Sequence, residues 1–140
     1  MLAQQSGHPL DALEPVLDEA TLQQLQAHCE KVTLSRPMVS YISELVRATR
    51  EHDQVRMGAS PRGSLALMQA SRAMALLTGH KAVTPDVVQR LLEPVLAHRL
   101  VFRDAALMRA ENREAFWQNL REQVPVPDHP EASAQAATTD

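Results

Sequence analysis

The chain contains 140 residues, of which 44% are apolar, and its formal net charge is −3. This apolar content is enough to build the core of one domain, while the acidic balance argues against a general binder of nucleic acid or of anionic membranes. No apolar run approaches the roughly 18 residues of a membrane span, and the N-terminus lacks a basic start followed by an apolar run, so we expect neither a membrane span nor a signal peptide. The single Cys29 fits a reducing compartment. We therefore expect a cytoplasmic protein.

The N-terminal part predicts an irregular arm followed by a helix. Residues 1–17 are interrupted by glycine and proline, and we interpret them as an arm or linker. Asp18 is suited to cap the next helix. Apolar residues of this helix recur at three- and four-residue steps: Leu22, Leu25, Cys29 and Val32. His28 adjoins Cys29, but neighbouring helical positions point about 100° apart, so we expect no metal site there.

A second helix is predicted, with Ser35 or Arg36 as its cap and Pro37 tolerated in its first turn. Its expected inward stripe consists of Met38, Tyr41, Ile42, Leu45, Val46 and Thr49. The opposite face is charged and is most simply a solvated surface. Residues 52–59 are predicted to form a loop.

This loop leads into a glycine-flanked turn, which we call the 58–63 turn. It consists of Gly58, Ala59, Ser60, Pro61, Arg62 and Gly63. Ser60 can cap a helix, and Pro61 fits the first helical position, where its missing N–H is not needed. The large side chains of residues 65–77 would point in nearly every direction, which predicts a buried central helix. Gly79 then suits a left-handed stop.

Two residues of the 58–63 turn do not favour a helix. Arg62 lies in the first turn, where the helix dipole disfavours a cation by about 0.3–1 kcal/mol, and Gly63 costs up to about 1 kcal/mol relative to alanine. Both residues make sense if an anion approaches the helix N-terminus, although a solvated arginine beside a loose turn is the plainer interpretation. The turn is not a Walker A loop, because Ser64 and Leu65 occupy the lysine and hydroxyl positions.

The next helix has clear start signals. Thr84 is the predicted cap, Pro85 takes the first position, and Val83 and Val88 occupy the two positions of a hydrophobic staple. Its inward residues are Val88, Leu91, Leu92, Val95 and Leu96. Pro94 removes one backbone donor, so we expect a kink or a restart there.

A last helix is predicted over about 105–123. Its apolar residues are Leu107, Met108, Phe116, Trp117 and Leu120. Residues 124–127, Val-Pro-Val-Pro, should be extended, and residues 128–140 lack large apolar groups and should be disordered. Residues 18–127 thus indicate an all-α bundle of four or five helices. The 6 histidines are spread singly, and no local motif suggests an enzyme acting alone.

The 58–63 turn and the apolar helix after it resemble the sensor 2 motif of the MoxR family of AAA+ ATPases. Further segments match this family in the same order: residues 45–50, 83–87, 94–100 and 124–127. The resemblance covers roughly residues 8 to 127. One departure is Val87, where the family often has a second acidic residue; this affects helix capping and leaves the 58–63 turn unchanged.

The resemblance implies a small helical lid domain that packs against an α/β core, the core carrying Walker A, Walker B and an arginine finger. ATP and magnesium would be held mainly by that core. Residues 58–63 would face the nucleotide, and Arg62 would reach the γ-phosphate of ATP in its own or a neighbouring subunit. The family further implies a hexameric, chaperone-like ring that cooperates with proteins bearing a von Willebrand factor A domain.

Two other functions fit parts of the sequence. A helix-turn-helix DNA-binding module would explain a loosely basic region formed by Arg47, Arg50, Arg56, Arg62 and Arg72. The acidic net charge and the apolar character of the candidate recognition helix argue against it. A purely structural protein-interaction bundle is consistent with everything except the helix cost of Arg62 and Gly63.

Overall fold

Helices dominate the computed structural model, which describes residues 13–104, 106 and 110–128. The elements in chain order are α1 (Glu19–Lys31), α2 (Arg36–Glu51), β1 (Val55–Met57), α3 (Pro61–Leu77), α4 (Pro85–Leu96), a 3₁₀ turn (Ala97–Arg99), β2 (Val101–Phe102) and α5 (Ala110–Gln123). The predicted all-α bundle is confirmed. Most of the predicted arm and tail lies outside the described residues, as do the predicted apolar positions Leu107 and Met108.

Local signals at the helix ends are largely confirmed. The Thr21 backbone N–H donates to the Asp18 carboxylate over 2.7 Å, and the Met38 N–H donates to the Ser35 hydroxyl over 3.4 Å, so Ser35 rather than Arg36 is the cap of α2. After α3, Gly79 has a φ of 78° and the His80 N–H donates to the Ala75 carbonyl over 2.8 Å. This is the predicted left-handed stop.

The side chains of two other predicted caps accept no hydrogen bond from a backbone N–H of their helices. Ser60 and Thr84 occupy the N-cap positions of α3 and α4, but neither side chain accepts a capping hydrogen bond. The Thr84 hydroxyl donates to the Asp86 carboxylate instead, and the Gly63 N–H is satisfied by the Ser60 backbone carbonyl over 2.7 Å. The predicted starts are therefore correct, but their capping bonds are not.

Helix α3 lies centrally in the described bundle, in contact with α1, α2 and α4. Its fully buried residues recur every fourth position: Gly63, Leu67, Ser71 and Ala75. The prediction that it is buried on all sides is wrong, because Leu65 is 60% exposed and Leu77 is 78% exposed. The neighbouring helices therefore cover the face of α3 that carries these four buried residues and leave Leu65 exposed.

The remaining helices differ in how much of their apolar surface they bury. The predicted inward stripe of α2 is buried, as are Phe116, Trp117 and Leu120 of α5. By contrast, α1 has no buried residue, and Leu22 and Leu25 of its predicted stripe remain 47% and 39% exposed. Helix α4 runs through Pro94 to Leu96 and continues as the 3₁₀ turn.

A short strand pair was not predicted. Strands β1 and β2 pair antiparallel, with Val55 opposite Phe102, and the Arg103 N–H extends the pairing to the Gln54 carbonyl over 2.9 Å. Residues 52–59 were expected to form a loop, because strands of two or three residues that lie far apart in the chain leave no local period to recognise. Strand β1 of this pair connects the end of α2 to the 58–63 turn.

Candidate functional site

The 58–63 turn begins where β1 ends and passes directly over the last turn of α2. A Cβ atom on Gly58 would lie 2.6 Å from the backbone N, the Cα and the Cγ of Arg50. Such distances leave no room for any side chain, so the glycine is required by the close approach of two backbone segments. This contact determines how closely the backbone of the turn approaches α2.

A buried threonine fixes the next residue of the turn. Ala59 and Thr49 are both completely buried. The Ala59 N–H donates to the Thr49 hydroxyl oxygen over 3.0 Å, and the Thr49 hydroxyl donates to the Val46 carbonyl over 2.7 Å. The Thr49 hydroxyl thus donates one hydrogen bond and accepts another, and it links α2 to the turn that precedes α3.

The side chain of Arg62 projects from the first turn of α3. It is exposed, as are Ser60 and Pro61. Within the described residues it takes part in no salt bridge, and the first turn of α3 holds no acidic residue. The guanidinium is therefore an uncompensated cation at the positive end of a helix.

Gly63 is the buried member of the turn. A Cβ there would lie 3.1 Å from the Ala59 Cβ, 3.2 Å from a Leu96 methyl carbon and 3.9 Å from the Arg99 Cδ. The close packing of Gly63 on Ala59 and on Leu96 of α4 is therefore one reason for a small residue at this position. Of the two residues that seemed unfavourable in the sequence, only Arg62 is left without a packing reason.

The family follows from this architecture and from the match to a family model. The model described as AAA lid domain matches residues 47–119, which is just over half of the chain and runs from α2 into α5. The chain belongs to the AAA lid domain family.

Relatives of this lid domain point to the MoxR group. The chain is 37% identical over 124 residues to the uncharacterized protein YeaC of Bacillus subtilis (strain 168), covering 89% of the chain and 39% of that protein. It is 35% identical over 101 residues to Chaperone MoxR1 of Mycobacterium tuberculosis, covering 66% of the chain and 27% of the chaperone. It is also 46% identical over 57 residues to Protein MoxR of Paracoccus denitrificans, covering 41% of the chain and 17% of that protein.

A solved structure agrees with these relatives. A Cytophaga hutchinsonii protein described as a "putative ATPase" superposes with a TM-score of 0.65 at 25% identity, over 73% of this chain and 34% of the other. The resemblance to the lid of MoxR-type AAA+ ATPases is thus confirmed. The lid spans less than half the length of each of these proteins.

The lid also contains a cavity that the sequence did not indicate. This open cavity of about 530 Å³ lies between residues 52–54, which precede β1, and α5, and it is lined in part by His52, Asn112 and Asn119. The Gln54 N–H donates to His52 Nδ1 over 3.2 Å, which assigns the ring proton to Nε2, 3.1 Å from the Asn119 side-chain oxygen. None of the residues 58–63 lines this cavity.

Two structural features of the lid bear on chemistry outside the 58–63 turn. Among the described residues, no group of three or more His, Cys, Asp or Glu side chains is placed to hold a metal ion. In the same part of the chain, no helix is long and apolar enough to cross a membrane.

Sequence reasoning missed the role of Thr49. It assigned this residue to the inward stripe of α2 but saw no purpose for its hydroxyl group. The available signal was a polar side chain in a row of otherwise apolar or aromatic residues. A buried hydroxyl needs hydrogen-bond partners, which the apolar side chains of the stripe cannot provide.

Proposed function

We propose that this lid completes the nucleotide site of a MoxR-type AAA+ ATPase and that Arg62 contacts the γ-phosphate of ATP. The observation that carries the proposal is the exposed guanidinium of Arg62, which stands at a helix N-terminus without a carboxylate partner in the described part of the lid. ATP and magnesium would be held mainly by an α/β core domain, and the lid would add one cationic contact.

The electrostatics favour this role. A cation in the first helical turn is disfavoured by about 0.3–1 kcal/mol in the isolated lid. A triphosphate brought to the same place reverses the sign, because guanidinium–phosphate hydrogen bonds are charge-assisted and the free N–H groups of a helix start also attract anions. Negative charge that develops on the γ-phosphate during hydrolysis would be stabilised by the same side chain.

The attachment of the 58–63 turn supports coupling between the nucleotide and the position of the lid. Gly58 lies against Arg50, and Ala59 is bonded to Thr49, so a force on Arg62 is transmitted to α2 rather than absorbed by a loose loop. We infer that the nucleotide state determines how the lid is rotated on its core. The arrangement of subunits in the assembled ATPase determines whether Arg62 contacts the nucleotide of its own subunit or that of a neighbour.

The wider setting is part of the same proposal. We expect a cytoplasmic hexameric ring that assists the maturation or assembly of other proteins, together with a partner that bears a von Willebrand factor A domain. The similarity to the M. tuberculosis protein named a chaperone supports the role in assisting other proteins. Binding of duplex DNA is the competing function, and a salt-dependent mobility-shift titration would detect it.

Replacement of Arg62 in the full-length ATPase tests the proposal. We expect Arg62→Ala to lower kcat by on the order of 100-fold, the effect of losing one preorganised charge contact, while the far-UV spectrum stays unchanged. The matched control is Arg56→Ala, which removes another exposed arginine, from β1, and should leave turnover near the parent value. Unchanged turnover in Arg62→Ala would contradict the assignment, as would robust hydrolysis by the purified 140-residue chain.

A further inference from the structure

Thr49 stands out as the polar member of the buried stripe of α2. It is completely inaccessible to solvent, and its hydroxyl makes one hydrogen bond within α2 and one to a residue outside α2. The 2.7 Å bond to the Val46 carbonyl stays within α2, whereas the 3.0 Å bond from the Ala59 N–H joins α2 to the turn ten residues further along. Only the second bond links separate elements.

In the described part of the chain, no other hydrogen bond joins the 58–63 turn to α2. Ala59 is completely buried, so water cannot replace the hydroxyl as an acceptor for its N–H. The Ser60 side chain makes no capping bond that would hold the start of α3 in another way. The steric contact of Gly58 with Arg50 limits the approach of the turn but does not give it a direction.

We propose that Thr49 is the positioning residue of the nucleotide contact: its hydroxyl orients the 58–63 turn so that Arg62 points at the γ-phosphate. The proposal rests on the function proposed for Arg62. A valine at position 49 would fill the same volume and leave the charge of Arg62 intact, but the Ala59 N–H would be buried without an acceptor. The turn would then shift or fluctuate, and Arg62 would be present but misplaced.

A misplaced guanidinium has a defined kinetic signature. Because ATP is held mainly by the core, its KM should change little when Thr49 loses its hydroxyl. The value of kcat should fall, since stabilisation of the transition state depends on the position of the charge to within about 1 Å. A purely structural role for Thr49 predicts loss of folded protein instead, with normal kcat in the fraction that remains folded.

The first measurement uses the 140-residue chain itself. Amide hydrogen exchange of Ala59 should accelerate by on the order of tenfold or more in Thr49→Val relative to the unmodified chain, because its acceptor is gone. Thr49→Ser retains the hydroxyl and should keep exchange within a few-fold of the parent rate. An Ala59 exchange rate that is the same in Thr49→Val and the parent overturns the role of Thr49, whatever Arg62 does.

The second measurement is a double-mutant cycle in the full-length ATPase with Thr49→Val and Arg62→Ala. We expect Thr49→Val to lower kcat about tenfold when Arg62 is present and to have no further effect when it is absent. Thr49→Ser should restore most of the rate. Val124→Ala, which removes buried atoms beyond α5, is the control for lost stability and should keep kcat near the parent value.

The outcomes separate the two proposals. If Arg62→Ala leaves kcat unchanged, the function proposed for Arg62 fails, and the exchange rate of Ala59 still decides whether Thr49 orders the turn. If Arg62→Ala is impaired but the effects of the two substitutions multiply, Arg62 keeps its role and the positioning role of Thr49 is overturned. Equal losses of kcat in Thr49→Ser and Thr49→Val would overturn it as well.

Discussion

Replacement of Gly58 by alanine should be the most damaging of three single-methyl additions in this lid. The new Cβ would lie 2.6 Å from the Arg50 N, Cα and Cγ, about 1 Å inside ordinary carbon contact distance. Two of these atoms belong to the backbone of α2, which cannot rotate out of the way. Overpacking of this kind costs about 1–3 kcal/mol, and we expect a loss near the upper end, about 3 kcal/mol.

Two other glycines provide the comparison. At Gly63 the nearest atoms are the Ala59 Cβ at 3.1 Å, which is fixed to the backbone of the turn, and a Leu96 methyl carbon at 3.2 Å, which can move by a few tenths of an ångström. The gain in helix propensity of about 1 kcal/mol offsets part of that strain, so Gly63→Ala should cost less than about 1 kcal/mol. Gly79 meets no atom within 4 Å but has a φ of 78°, so Gly79→Ala should cost about 1–2 kcal/mol through backbone strain alone.

The assay is thermal and urea unfolding of the 140-residue chain, followed by circular dichroism. At about 4 °C per kcal/mol for a domain of this size, Gly58→Ala should lower Tm by about 12 °C, Gly79→Ala by about 4–8 °C and Gly63→Ala by no more than a few degrees. The reasoning is refuted if Gly58→Ala is no more destabilising than Gly63→Ala, since the close approach of the turn to α2 would then not exist in solution.

Two further predictions concern the core and a helix cap. Phe116 is 2% exposed and packs edge-to-face on Trp117 at a centroid distance of 4.9 Å, so Phe116→Ala should cost about 3–5 kcal/mol in urea unfolding; a loss below about 1 kcal/mol would contradict the packing. Hydrogen bonds from the Thr21 side chain and backbone N–H lower the pKa of Asp18 below its ordinary 3.8. The stability that this cap contributes is therefore fully present above pH 3.8 and is lost as the pH falls through the lower pKa of the folded state. Asp18→Asn should abolish this acid-induced fraying of α1, measured by NMR titration, and an Asp18 carboxyl that titrates at or above 3.8 would show that the cap is absent.

The helices could be predicted because their signals are local. Asp18, Ser35, Pro61, Pro85 and Gly79 mark helix ends through bonds or steric effects within about four residues, and each marks an end in the structure. Side-chain burial was harder to predict. The apolar content of α3 suggested burial on every side, but whether Leu65 meets another helix depends on how many neighbours surround α3.

The candidate site was predicted only in outline. Arg62 was singled out because its charge opposes the helix dipole, which is a local property. Gly63 was grouped with it as an opening for an anion; its contact with Leu96 of α4 was not predicted. The partner of the Thr49 hydroxyl could not be predicted, because Ala59 lies beyond a strand whose pairing with β2 has no local signal.

By itself, the sequence determined the starts of α1 to α4, the stop after α3, the family that the chain resembles, and the presence of a cation at a helix start whose stability it does not favour. Each of these depends on neighbours within one or two turns, or on motifs that survive in the linear order of residues. The tertiary structure decided that Gly58 and Gly63 are packing residues, that Thr49 joins α2 to the 58–63 turn, and that Arg62 remains exposed. These properties depend on contacts that form only after folding. A contact between two backbone segments that lie apart in the chain leaves no periodic pattern in the sequence of either segment.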